Sequence, residues 1–345
     1  MAPAPSTSAP PITRLAHPLA FGAFCRHIGA PVDRHLRSQG LPLYSDSPDG
    51  FVPVKKAWGF FDAMAQAEDP MLGWYTGKFV GDRNVNHNLL QKLETAPTLY
   101  QALKKLIQMV SSEASHLQLG IIERPDDILF YTHYPTFEDW PGYTSSQAYQ
   151  LEVYLDLMRQ FLGRHWVPEE IGIEYPTVPQ VAREHFHDCR ILTNQRLGYI
   201  AVPRACLHIP SRRSVQQQEG GSPVLTKAFN YADTLRFLLK TYLADGYPSA
   251  SKAASLMDTS VRTMARRLSE CGVSYQAVVD EVRFDAAREL LRNTDQSIGS
   301  ISRSVGFDDP ANFTRMFRRV AGLTPRQLRY QTNSATHVGG NPDTH

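Results

Sequence analysis

Residues 297–322 constrain this chain more tightly than any other stretch of it. Ser297 offers a capping oxygen just ahead of Ile298, Ile301 and Val305, whose spacing of three and four puts them on one helical stripe. Gly306 ends that helix and Phe307 anchors the turn. Asp309 then stands as the N-cap of a second helix, with Pro310 at its first position, where a missing N–H costs nothing. The second helix is expected to bury Phe313, Met316, Phe317 and Val320, leaving Asn312, Thr314, Arg315, Arg318 and Arg319 on its other faces. Two short helices joined by a Gly turn, the second with one apolar and one basic face, form a helix-turn-helix.

The same design occurs once upstream. Residues 251–257 form a small-residue helix with Ala253 and Ala254 free for close contact, and Asp258 and Thr259 make the turn. Ser260 caps a helix to about Glu270 that is closed by Gly272. Met264 and Leu268 make its buried stripe, with Arg262, Ala265, Arg266 and Arg267 outside. Asp258 occupies a turn position where Gly is common, and Thr259 one where an apolar residue is expected. Between the two units, residues 275–291 predict a long helix in which Val279, Val282, Ala286 and Leu290 share a face, holding the units at a fixed separation.

Arg283-Phe284, Ala287, Leu290-Leu291, Ile298, Ile301, Val305-Gly306-Phe307, Phe313, Phe317-Arg318-Arg319 and the run at 322–329 resemble the C-terminal signature of the AraC family of bacterial regulators. The resemblance covers roughly the last 100 residues before the tail. It implies that both second helices enter successive major-groove segments of double-stranded DNA, about 34 Å apart. Carried over position by position, the base-contacting surface falls on Arg262, Ala265 and Arg266 in the first unit and on Ala311, Asn312 and Arg315 in the second. Arg reads guanine O6 and N7, and Asn pairs bidentately with adenine. Arg267, Thr314, Arg318 and Arg319 are the phosphate candidates, setting register more than sequence.

Charge agrees with this placement. The whole chain carries 36 Lys and Arg against 34 Asp and Glu, a balance that excludes nothing until it is divided. Residues 233–331 hold 15 basic and 11 acidic side chains, so the basic excess lies where a polyanion would be met. Polar, Gln- and Gly-rich residues 211–226 predict a linker. The expected organisation is two-domain: a disordered terminus over 1–13, an α+β effector and dimerisation domain over 14–210, an all-α DNA-binding domain over 227–331, and a disordered tail over 332–345.

In the first domain, helices are expected over 21–40, 54–68, 99–112 and 147–162, and strands over 116–122, 128–133, 172–175 and within 199–209. Phe51-Val-Pro-Val, Trp58, the run at 69–73, Gly77, Pro168, the run at 185–189 and Leu207 resemble the arabinose-binding-like effector domain of some AraC-family members, the ornithine-utilisation regulator type. That resemblance implies effector sensing and homodimerisation, with RNA polymerase as a further partner and activation as the sign of control. Tyr131, Tyr134, Phe137, Glu138, Trp140 and Tyr143 are the candidate effector residues. Their rings and carboxylate suit a small amine or amino-acid cation, a hydrophobic effector suits them equally, and simple packing onto the core accounts for the rings as well.

Other classes find less support. His185, His187, Asp188 and Cys189 are residue types that ligate transition metals, but the segment equally suits a strand with alternating faces, so a metal-sensing or enzymatic N-terminal domain stands only as the alternative. No nucleophile elbow, Walker A loop, Rossmann glycine pattern or HExxH is present, and neither an enzyme nor a cofactor is expected. Cys25, Cys189, Cys206 and Cys271 have no regular spacing, which fits a reducing compartment. With no signal peptide and no long apolar run, a cytoplasmic protein is expected.

Overall fold

The computed structural model describes residues 9–43, 50–82, 93, 96–135, 137, 139–178, 180–210, 230–242 and 248–337. They form two compact units, an α+β unit up to residue 210 and an all-helical unit from residue 230. The linker expected at 211–226, the first eight residues and the tail from residue 338 lie outside the described residues.

The N-terminal unit begins earlier than its sequence predicts. Strand β1 (Ile12–Arg14) pairs antiparallel with β2 (Phe51–Pro53), and the Ile12 N–H donates to Ser115 Oγ at 2.9 Å. A buried Ile12 with a paired backbone takes residues 12 and 13 out of the expected disordered terminus. The single helix expected over 21–40 is two, α1 (Ala16–His27) and α2 (Val32–Gln39). Gly29, at φ +86°, closes the first while Ala30 N–H returns to the Cys25 carbonyl, and Pro31 precedes the second. Helices α3 (Val54–Ala67), α4 (Leu72–Asp82) and α5 (Leu99–Glu113) follow, then α6 (Tyr143–Leu162), which starts four residues ahead of its expected N-terminus.

A five-stranded sheet is ordered β3 (Gln118–Glu123), β4 (Asp127–His133), β7 (Gly198–Pro203), β5 (Glu170–Gly172), β6 (Arg190–Leu192), with only β5 and β6 parallel. Alternation sends Phe130, Ile171 and Ile200 to one face, where Phe130 meets Tyr154 of α6 edge-on with ring centroids 5.4 Å apart. On the opposite face Tyr131 lies over Gly120 and Tyr199 over Gly172, each glycine leaving the space its neighbour's ring fills. The strand expected at 172–175 is shifted to Glu170–Gly172, and the one expected within 199–209 ends at Pro203 in a short 3-10 turn, Arg204–Cys206. Residues 185–189 are not a strand: helix α7 (Gln180–His185) ends there, and Phe186 and Cys189 close a turn before β6.

Helix α6 is the spine of this unit, and α4 lies against it through Gly73 and Gly77. A Cβ at Gly73 would collide with the Ser145 backbone, and one at Gly77 with the Glu152 side chain. Two glycines one turn apart thus set how closely the helices approach, which gives a physical reason for both in this sequence.

Candidate nucleic-acid interface

The C-terminal unit is built from α8 (Tyr231–Thr241), α9 (Ala250–Leu256), α10 (Val261–Glu270), α11 (Tyr275–Asn293), α12 (Ile298–Ser304), α13 (Pro310–Ala321) and α14 (Pro325–His337). The last continues past the expected domain end at residue 331. Three helices of the two turn motifs start on the cap that the sequence predicts, and the helix expected from residue 251 starts at Ala250 on Ser249. Ser249 accepts from Lys252 N–H at 3.2 Å, Ser260 from Thr263 at 3.1 Å, Ser297 from Ser300 at 3.1 Å and Asp309 from Ala311 at 2.8 Å.

The two turns are made in the same way. Asp258 at φ +48° and Gly306 at φ +77° take the left-handed conformation, and the next N–H, of Thr259 or Phe307, returns to the carbonyl five residues back, Ala254 or Ser302, at 2.9 Å in both. The substitution of Asp for Gly therefore leaves the turn geometry of the first unit intact. Thr259 supplies the backbone bond but not the ring that Phe307 adds, and Phe307 in turn lies under the Arg283 guanidinium, 4.5 Å from its centroid. Arg283 also donates to the Gly306 carbonyl at 3.3 Å, so this signature residue braces the second turn.

Behind the turns lie two cores. In the second unit Ala287, Leu291, Ile301, Val305, Phe313, Met316 and Phe317 are buried together. Val320, expected with them, is exposed: its spacing of three and four from Phe317 and Met316 puts it on the edge of their face, outside the buried cluster. The long helix α11 buries Val279, Val282, Ala287 and Leu291, whereas Ala286 and Leu290 are only partly covered. Helix α8, which the sequence patterning did not single out, is tied to α11 by Arg236, which bridges Glu281 at 2.6 Å and Asp233 at 2.9 Å. Arg236 and Lys240, four apart on α8, stand against Glu281 and Asp285, four apart on α11, and this matched spacing of opposite charge was the available signal.

The outward faces of α10 and α13 carry the residues expected to read DNA. Arg262, Ala265, Arg266, Ala311, Asn312 and Arg315 are all exposed. Arg266 pairs along its helix with Glu270 at 2.7 Å, and Arg315 donates to the Asn312 side-chain oxygen. Both contacts are solvent-exposed and worth little, so they orient the side chains without committing them. Arg262 and Arg318 are exposed with no partner among the described residues. The other phosphate candidates have internal roles. Arg319 pairs with buried Asp280 of α11, Arg267 lies over the Tyr231 ring at 5.4 Å, and the Thr314 hydroxyl donates to the Pro310 carbonyl at 2.9 Å.

In the N-terminal unit the candidate effector residues divide. Tyr134, Phe137, Trp140 and Tyr143 surround Trp58, with ring centroids 5.5 to 6.3 Å from it, and Tyr134 is buried with its hydroxyl on Gln150. Tyr131 lies on the far face of the sheet, and Glu138 is outside the described residues. A cavity lies between α6 and the sheet. Gln147, Leu151 and Tyr154 line it from the helix, and Phe130, Thr132 and Tyr175 from the sheet side. Its volume is about 20 Å³, room for one water. Spacing of Gln147, Leu151 and Tyr154 at i, i+4 and i+7 was a signal for this face that the sequence reading passed over. His187 and Asp188 form an exposed pair at 2.9 Å, and among the described residues no three His, Cys, Asp or Glu side chains converge as a metal site would require. None of the described helices is long and apolar enough to cross a membrane.

Known proteins share both halves of this arrangement. The family described as the arabinose-binding domain of AraC transcription regulators, N-terminal, matches residues 29–211, more than half of the chain, and a helix-turn-helix domain family matches residues 253–331. The ornithine utilization regulator of Pseudomonas aeruginosa is 37% identical over 83 residues, 24% of each chain. The transcriptional activator RhaS of Escherichia fergusonii is 35% identical over 95 residues, 26% of this chain and 34% of its own. The chain thus matches about a quarter to a third of these relatives' length. The crystal structure of the transcriptional regulator CdpR from Pseudomonas aeruginosa aligns with 87% of this chain and 96% of its own at 18% identity, with a TM-score of 0.34. With so low a score, the assignment rests on the sequence matches. The chain belongs to the AraC family of DNA-binding transcription regulators, with an arabinose-binding-type domain ahead of tandem helix-turn-helix units.

Proposed function

We propose that this protein is an effector-responsive transcriptional activator that binds paired promoter sites as a homodimer and acts on RNA polymerase from there. The observation that carries the reading is the repeated turn at Asp258 and Gly306, each followed by a capped helix with its basic face exposed. Arg262, Ala265 and Arg266 face the bases in one major-groove segment, and Ala311, Asn312 and Arg315 in the next. Arg318 is the leading phosphate contact. Arg267, Thr314 and Arg319 serve the fold first and reach the backbone only secondarily, because their polar groups already have internal partners.

Activation follows RhaS, a transcriptional activator. The N-terminal unit supplies the sensor: a small metabolite bound there favours one arrangement of the dimer, and only a differential affinity for the two arrangements can shift them. The protein works by binding, in the cytoplasm, without catalysis or a cofactor.

Selection from a randomised duplex pool by the full-length protein tests the reading. A defined motif with two half-sites, weakened by salt, is expected. Recovery of unenriched sequence by folded protein would overturn it.

A further inference from the structure

Among the cavities and polar clusters, the space between α6 and the sheet combines an apolar wall with unspent hydrogen-bonding groups. None of the side chains lining it carries a charge. Phe130, Leu151, Ile173 and Ile200 make the apolar wall, and Gly198 adds no side chain to it. Two residues of its lining carry a polar group without a full set of partners. The Tyr175 hydroxyl is buried beside Trp74 yet has no hydrogen-bond partner of acceptable geometry. Since an indole only donates, the phenol proton lacks an acceptor in any case. Gln147 donates its Nε2 to Tyr143 Oη at 2.9 Å and keeps its carbonyl oxygen free among the described residues.

The carboxylate of Glu174, beside Gly198 of the lining, does not suit a cation. Glu174 accepts from Gly198 N–H at 3.0 Å through one oxygen and from the Tyr143 hydroxyl through the other. An ammonium or carboxylate brought into this wall would lose its hydration without a charged partner, a loss larger than one hydrogen bond returns.

We infer that this cavity is the effector site, and that its ligand is a neutral, largely apolar molecule of about one ring, bearing a hydroxyl or carbonyl that accepts from Tyr175 and, where it can donate, donates to Gln147. The inference rests on the effector-responsive reading above and narrows it from amines and amino acids to uncharged compounds. A single ring exceeds the 20 Å³ present, so binding must displace Gln147 or Leu151. Both lie on α6, the helix to which α4 is fitted through Gly73 and Gly77. Occupancy is thereby transmitted to the spine of the unit, and loosening Gln147 also frees its partner Tyr143 from its present setting.

The test is the melting temperature of the full-length protein titrated with phenol, benzyl alcohol and cyclohexanol, against benzylamine and benzoate at the same concentrations. A saturable rise with at least one neutral probe and none with the charged pair is expected, because a ligand of the native state stabilises by mass action. Tyr175→Phe, which removes only an oxygen, is expected to weaken that probe about five-fold, the effect of one net hydrogen bond. Leu151→Trp fills the space and is expected to abolish the response; should it fail to fold, Tyr175→Phe decides alone. No response to any neutral probe, an equal response to the charged ones, or unchanged affinity in Tyr175→Phe overturns the inference. DNA selection on the same preparations separates the two readings: specific DNA binding without a probe response removes only the ligand site, whereas loss of specific binding removes the regulator.

Discussion

The Arg319 guanidinium donates to the Asp280 carboxylate, joining the second recognition helix to the long helix that links the two units. Asp280 is buried and also accepts from Gln276 Nε2 at 3.0 Å, while the Arg319 side chain remains 66% exposed. The pair ties the C-terminal part of α13, the helix that also carries Asn312 and Arg315, to α11. Arg319→Ala leaves that carboxylate short of a partner and is expected to destabilise the DNA-binding unit by about 1–2 kcal/mol. Arg318→Ala, lacking such a contact, is expected to leave melting unchanged and to reduce the slope of log K against log salt by about one. Thermal melts and salt titrations of both variants check this; a smaller salt slope for Arg319→Ala with unchanged melting would contradict it.

Asp258 holds a left-handed conformation that most side chains resist. Asp258→Val is expected to cost about 1–2 kcal/mol, and Asp258→Gly much less, since glycine meets the backbone requirement. Chemical denaturation of the two variants, followed by helical circular dichroism, gives the comparison. Equal destabilisation would show that the Asp side chain, not the turn, is what matters there.

Gly77 marks the contact between α4 and α6. Gly77→Ala drives a methyl into Glu152 and is expected to destabilise the N-terminal unit by about 1–3 kcal/mol, with DNA-binding residues untouched. A melt resolving the two units should show only the first transition move.

The helix-turn-helix units were almost wholly legible because their signals are local: a capping Ser or Asp, a turn residue, and three or four apolar positions at helical spacing. Val320 was misread because helical spacing groups residues by face without saying how far a neighbour covers that face. The break at Gly29 to Pro31 was passed over although its residues announce it. The proposed sensor site was least legible. Of the aromatic run, Tyr134, Phe137, Trp140 and Tyr143 pack around Trp58, whereas the cavity is assembled from residues as far apart as Phe130, Gln147 and Tyr199, whose proximity only strand order decides.

His17 and His116 give the N-terminal unit a pH dependence. Burial lowers His17 to about 4, with Arg14 adding to the effect, and burial lowers His116 to about 3, with His17 adding to it. Unfolded, both take up protons near 6.5, so below that pH the unfolded chain binds more protons and stability falls. The loss begins near pH 6.5, continues for both to about 4, and for His116 to about 3. Melting of the N-terminal unit is therefore expected to drop between pH 7.5 and 4.5, and less steeply in His116→Phe. Parallel profiles for the two proteins would contradict this.

The central claim is that both units read bases on one face of one duplex. The direct measurement is the base preference of the full-length protein at every position of its selected site, compared with that of Arg262→Ala and of Arg315→Ala. Each variant is expected to lose about 1–3 kcal/mol of discrimination at one position, with the two positions about ten base pairs apart. Relaxation at the same position, or uniform weakening across the site in both variants, would show that these helices do not read DNA in tandem.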